Sequence, residues 1–158
     1  MKRLSLAALG GTFDHLHRGH KRLLQTAFRV GDSVLVGITS DDFVAKSGKT
    51  GIQPLQHRMD VMRSFLASKG LLGRASFHVL EDQYGPVVTD PSFDILVVSE
   101  GTAKGGYAAN AVRAERGMPP MKIKVVKFVL AEDGAPISST RIRNREIDEN
   151  GKLLIHSR

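Results

Sequence analysis

The chain has 158 residues, 41% hydrophobic and 25% charged, with a formal net charge of +7 and no cysteine. This length supports one domain (1–158) with a sizeable core. No apolar run approaches the roughly 18 residues of a membrane helix, and without cysteine there are no disulfides, thiolate nucleophiles or zinc–thiolate centres.

The positive charge points to anionic partners, either nucleotides and phosphorylated metabolites or nucleic acid. Charge alone does not decide between them, but the basic residues are scattered, Trp is absent and only two Tyr occur, which is not the clustered, aromatic-studded pattern of a nucleic-acid binder. Neither nucleic acid nor membrane is expected as a partner. Met1-Lys2-Arg3 ahead of an apolar run mimics a leader, yet that run stops at Gly10-Gly11 and no small-residue cleavage site follows, so a cytoplasmic protein is expected.

In chain order, Leu4 to Leu9 reads as a short buried strand and about His17 to Val30 as a helix, with Leu16, Leu23, Leu24 and Ala27 on an apolar face and Gly31 at its end. Ser33 to Thr39 is almost continuously apolar and β-branched, as in a parallel strand buried on both faces. Ser40 to Gly51 reads as a mobile loop with a helical start, Pro54 opens a second helix, and Ser76 to Leu80 is a third strand. Glu81 to Pro91 is a loop, Asp94 to Ser99 a fourth strand, and Gly106 to Arg116 a helix ended by Pro119-Pro120. Ile123 to Leu130 is a fifth strand, Ser138-Ser139-Thr140 caps a short basic helix, and the tail from Ile147 to Arg158 has little pattern. Strand and helix alternation of this kind predicts a single α/β domain, Rossmann-like, with a mostly parallel five-stranded sheet and helices on both faces.

In such sheets ligands bind beyond the carboxyl ends of the strands. Gly10 to His20, Thr39 to Lys46, Ser99 to Thr102 and Ile137 to Arg143 all follow strands, so they converge on one rim. Within the first of these, Gly10-Gly11-Thr12-Phe13-Asp14 leads into His17-Arg18-Gly19-His20 at a helix start, where free N–H groups and the helix dipole favour an anion. His17 and His20 are one helical turn apart and can share a face. Read individually, the features have plainer meanings: His15, His17 and His20 as metal ligands or as structural histidines, Ser138 to Thr140 as a helix cap alone, Lys46 as a surface lysine, Asn110 and Arg113 as unremarkable helix residues.

Taken together, His17-Arg18-Gly19-His20 and Ile137-Ser138-Ser139-Thr140-Arg141 resemble the HxGH and ISSTxxR signatures of the nucleotidyltransferase superfamily. Gly10 to His20, Glu81 to Pro86, Val97 to Arg113 and Ile137 to Asp148 resemble the archaeal/eukaryotic type of phosphopantetheine adenylyltransferase, so that the likeness runs from Leu4 to about Leu154. One departure stands out: members of that family commonly carry Glu-Thr where this chain has Gly101-Thr102, preceded by Glu100. The resemblance implies adenylyl transfer from ATP to 4′-phosphopantetheine, with Mg²⁺ arriving on ATP and no dedicated metal cage. It further implies His20 as the α-phosphate stabiliser with His17 beside it, and Thr12 and Lys46 at the acceptor phosphate, with Lys49 a competitor in the same loop. Ser138, Ser139, Thr140 and Arg141 fall at the β- and γ-phosphates, while Gly10, Gly11, Phe13, Ser99 and Thr102 complete the nucleotide site. The alternative is a sister enzyme using glycerol 3-phosphate with CTP, or FMN or nicotinamide mononucleotide with ATP; a non-catalytic nucleotide sensor or nucleic-acid-binding module is the rival from another class.

Overall fold

The computed structural model describes residues 4–154; the last four residues of the tail, and the first three of the chain, lie outside that range. Five parallel strands, β1 (Leu6–Gly11), β2 (Ser33–Thr39), β3 (Ala75–Leu80), β4 (Ile95–Ser99) and β5 (Lys122–Val126), form one sheet in the order β3-β2-β1-β4-β5. The chain winds outward from β1 through β2 to β3, then returns to the other side of β1 for β4. A crevice therefore opens between the carboxyl ends of β1 and β4, where consecutive crossovers leave in opposite directions.

The apolar runs form strands because both sheet faces are covered. Ala7, Leu9, Val34, Val36, Ile38 and Val97 face one way, onto α1 (Arg18–Val30) and α3 (Leu55–Ser68), where they meet Leu24, Ala27, Phe28, Met62 and Leu66. Ala8, Leu35 and Leu96, one step out of phase, face the other way onto α4 (Ala103–Glu115) and the 3₁₀ turn Gly85–Val88, packing with Val87, Val88, Phe93, Ala109 and Met121. The period-two alternation thus feeds two cores on either side of one sheet, and the expected architecture is the observed one.

Several boundaries differ from the sequence reading: β1 begins at Leu6 rather than Leu4, and α4 at Ala103 rather than about Gly106. β1 runs two residues further, through Gly10 and Gly11, which pair with Gly37 and Ile38 of β2. A Cβ on Gly37 would sit 2.9 Å from Leu80 Cδ1, so this glycine lets the Leu80 side chain lie flat across the end of the sheet. The segment after β2 is helical to Lys46, as α2 (Asp41–Lys46), because the Ser40 hydroxyl accepts from the Phe43 N–H and Val44 is buried. β5 stops at Val126 rather than reaching Leu130, because the Glu100 carboxylate takes the Phe128 N–H at 2.8 Å and draws the chain off the sheet edge.

Asn110 and Arg113 of α4 are structural. The Asn110 amide both donates to and accepts from the Met121 backbone at 2.8 Å. Arg113 is fully buried and donates to the carbonyls of Val87, Asp90, Pro91, Phe93 and Pro119. One guanidinium thereby satisfies the backbone of the irregular 85–93 connection, which has no ladder partner of its own.

Candidate active site

A cleft of about 710 Å³ opens at the carboxyl ends of β1, β2 and β4. Gly10, Gly11, Thr12, Phe13 and His20 line it from the first strand and helix, Ser99 and Thr102 from β4 and the start of α4, and Ser139 and Thr140 from α5 (Ser139–Arg143). Four segments far apart in sequence do converge on one rim. Tyr84 and Pro86 close one side, and Leu35, Leu96 and Ala109 give the interior an apolar wall.

The turn between β1 and α1 is sharply folded: Phe13 and His15 both have left-handed backbone, with φ of 54° and 47°. Bulky residues adopt that conformation only where the surroundings impose it. Here Arg58 Nη1 donates to the Thr12 carbonyl at 2.9 Å, Asp14 Oδ1 accepts from the Gln53 N–H at 2.8 Å, and the His15 N–H donates to Gln53 Oε1 at 3.0 Å. Thr39 and Thr12 hydroxyls meet at 3.1 Å, joining the ends of β1 and β2.

The two histidines form a reciprocal cap on α1. His17 Nδ1 accepts from the N–H groups of Gly19 and His20, at 3.0 and 3.3 Å, and His20 Nδ1 accepts from the His17 N–H at 3.2 Å. Gly19 is required for this cap, since a Cβ there would lie 2.9 Å from His17 Cε1. The rings stack with centroids 3.7 Å apart, and the Phe13 edge meets His20 at 5.3 Å. An Nδ1 that accepts a hydrogen bond carries no proton, so each neutral ring holds its proton on Nε2 as an outward donor. Burial, followed by the nearby charges of His15 and Lys21, lowers the His17 pKa from 6.5 to about 4. Burial, followed by His17, lowers that of His20 to about 3. Both are neutral donors at pH 7.

A stability dependence follows. Between pH 6.5 and about 4 the unfolded chain binds protons at His17 that the folded chain does not, so this contribution is complete above pH 6.5 and lost as pH falls through the window. Urea midpoints measured across pH 4–7 should fall on acidification. His17→Asn, which keeps a side-chain oxygen at the N-cap but cannot titrate, should make the fall shallower and leave the part that His20 contributes; an unchanged slope in that variant would show that other groups carry the acid sensitivity.

The Ile137 to Arg143 segment is tied to the turn after β1. Ser139 Oγ donates to the Asp14 carbonyl at 2.6 Å, and Arg143 donates to the Asp14 carboxylate, which is 2% exposed, while its other terminal nitrogen reaches Thr140 Oγ1 at 3.1 Å. Ser138 is the cap of α5, accepting from the Arg141 N–H. It does not line the cleft, and neither does His17, which stands behind His20.

Two basic residues lie elsewhere than expected. Arg141 is turned away from the cleft: its guanidinium pairs with Asp133 and Glu146 and donates to the Pro136 carbonyl, while Arg143, two residues on, faces the cleft. Spacing in the ISSTxxR pattern already points to residue 143 rather than 141. Lys46, the last residue of α2, is exposed outside the cleft, and Lys49 lines it. Glu100 is committed to Phe128 N–H, and a Cβ on Gly101 would meet the Phe128 ring at 3.0 Å. The glycine is thus matched to the aromatic ring packed above it. Among the described residues no group of three or more His, Cys, Asp or Glu is placed to hold a metal ion, and no helix is long and apolar enough to cross a membrane.

A switch-point cleft lined by His20, which His17 backs, and by a hydroxyl-rich, arginine-bearing helix suits the transfer of a nucleotidyl group. The cytidylyltransferase-like family model matches residues 8–145. The chain is 46% identical over 155 residues to the phosphopantetheine adenylyltransferase of Methanothermobacter thermautotrophicus, covering 97% of this chain and 92% of that protein. It is 43% identical over 149 residues to that of Methanopyrus kandleri, covering 94% of each. A crystal structure of a protein of unknown function from Archaeoglobus fulgidus superposes with a TM-score of 0.69 at 30% identity, over 76% of this chain and 87% of that one. The chain belongs to the cytidylyltransferase-like nucleotidyltransferases and, within them, to the phosphopantetheine adenylyltransferase family.

Proposed function

We propose that the chain transfers the adenylyl group of ATP to 4′-phosphopantetheine, giving dephospho-coenzyme A and pyrophosphate, in the cytoplasm. An oxygen of the acceptor phosphate bonds to the α-phosphorus of ATP as the bond to the β-bridging oxygen breaks, and pyrophosphate leaves with the electron pair. The acceptor is already anionic at neutral pH, so no general base is needed and the protein's task is alignment and charge stabilisation. The observation that carries the reading is the neutral His20 imidazole, its Nε2–H free to donate in a cleft whose facing wall is Ser139, Thr140 and Arg143. Such a donor stabilises charge that grows on the α-phosphate oxygens without reorganising.

His17 fixes the tautomer and orientation of that donor from behind. Ser139, Thr140 and Arg143 take the β- and γ-phosphates, with Ser138 holding the helix start and Arg141 bracing it through Asp133. Gly10, Gly11, Phe13, Ser99 and Thr102 shape the nucleotide wall. Mg²⁺ arriving on ATP would supply neutralising charge at the phosphates; the chain's buried carboxylate beside the cleft, Asp14, is engaged by Arg143 and Gln53.

Thr12 and a lysine of the 46–49 segment hold the acceptor phosphate, and the cleft-lining position favours Lys49. Lys49→Ala should raise KM for 4′-phosphopantetheine about tenfold, whereas Lys46→Ala should stay within about twofold. The reverse order in steady-state kinetics would return the role to Lys46.

The reading is tested by Mg²⁺-dependent pyrophosphate release from ATP with 4′-phosphopantetheine, run beside CTP with glycerol 3-phosphate, ATP with FMN, and ATP with nicotinamide mononucleotide. Turnover confined to the first pair supports it. Turnover with another pair would keep the phosphate chemistry and replace the acceptor, and none with any pair would favour a binding role.

A further inference from the structure

Arg58 of α3 lies outside every motif above, yet it is 1% exposed and meets both ends of the acceptor side of the cleft. Its Nε donates to the Gln53 carbonyl at 2.7 Å. Its Nη1 donates to the carbonyls of Thr12 and Thr39, each at 2.9 Å, and its Nη2 to Asp41 Oδ1 at 3.0 Å. Four of the five N–H groups of the guanidinium are therefore used, on three separate stretches of chain at residues 12, 39–41 and 53. Thr12 follows β1, Thr39 ends β2, Asp41 opens α2, and Gln53 closes the connection that carries Lys49 and Ile52 into the cleft wall. Asp41 Oδ1 also accepts from the Leu55 N–H at 3.0 Å, so the same carboxylate links the first turns of α2 and α3.

Filling this volume does not require a guanidinium. Burying it costs several kcal/mol unless its partners are well placed, and an apolar side chain would fill the volume more cheaply. What the charge adds is a fixed separation between segments. The planar fork sets Thr12 against Thr39, whose hydroxyls meet at 3.1 Å, and anchors the 47–53 connection at its far end.

We infer that Arg58 is a positioning residue for the acceptor half of the reaction: it holds Thr12 and the Lys49-bearing connection at the separation that receives the acceptor phosphate, without itself touching substrate. This rests on the proposed adenylyl transfer to a phosphorylated acceptor. The nucleotide side should be affected less, because Ser139 and Arg143 bond to Asp14 and Thr140 to Arg143, and Arg58 reaches them only indirectly, through Gln53 and the β1 turn.

The test uses the full chain, with ATP and 4′-phosphopantetheine as substrates. Arg58→Lys keeps the charge but replaces the fork with a single ammonium that cannot span four acceptors. Assayed below its melting transition, it should raise acceptor KM about tenfold and lower kcat about tenfold, with the KM for ATP within about twofold. Asp41 is exposed and tolerates substitution more readily, so Asp41→Ala serves as the second variant, with an expected rise of about threefold in acceptor KM. Folded Arg58→Lys with wild-type acceptor KM, or an equal loss for both substrates, overturns the inference. If Arg58→Lys does not fold, an unchanged acceptor KM in folded Asp41→Ala overturns it. Failure of the wild type to use 4′-phosphopantetheine would instead remove the reading beneath it.

Discussion

Replacing His20 by Gln is expected to lower kcat about 10²- to 10³-fold while leaving the protein folded and the KM for ATP within about threefold of wild type. The side chain at this position has two separable jobs. Nδ1 accepts the His17 N–H and completes the helix cap, whereas the Nε2–H faces the cleft. Glutamine at the third helical position satisfies the first job in ordinary capping boxes, but its amide cannot place a donor where the imidazole edge lies. His20→Ala loses both, and should add about 1 kcal/mol of destabilisation to a similar loss of turnover. Thermal melts with steady-state kinetics on the two variants separate the effects. A kcat within tenfold of wild type in His20→Gln would move transition-state stabilisation to other groups, Arg143 first.

The scaffold around this histidine is easy to read from the sequence because its signals are local. Val34 to Ile38 is apolar at nearly every position because both faces of β2 are covered, and the His17–Gly19–His20 spacing encodes the cap within four residues. What escaped is set by contacts between distant positions. Arg58 reads as an ordinary charge on α3, and only the fold brings it to Thr12, 46 residues away. Asp14 and Arg143 are 129 residues apart. Arg141 and Arg143 look equivalent by charge, and only the ISSTxxR spacing separates them; their fates differ because Asp133 and Glu146 stand where Arg141 can reach them. The polar stretch after β2 reads as a loop with only a helical start because one buried residue, Val44, is too faint a signal to carry the helix on to Lys46.

The pair that joins the two phosphate-binding segments gives the second large effect. Asp14→Asn is expected to reduce kcat/KM for ATP about 10²-fold and to destabilise the fold by about 2 kcal/mol. The substitution preserves shape: Asn keeps an oxygen for the Gln53 N–H, and the Asp14 carbonyl still accepts from Ser139. What changes is the partner of Arg143, whose N–H now faces an amide N–H or a neutral oxygen in place of a carboxylate with 2% exposure. Because Arg143 is itself 24% exposed, the loss should fall below that of a fully buried pair. Released from Asp14, the guanidinium and the short helix that carries it lose their fixed distance from His20, and alignment across the triphosphate suffers before acceptor binding does. The double variant Asp14→Asn/Arg143→Met distinguishes this from two independent losses. If the pair acts as one brace, the double variant should be little worse than Arg143→Met alone, leaving a coupling energy above about 1 kcal/mol. Additive losses would mean that Asp14 serves the β1 turn and Arg143 the nucleotide, each without the other.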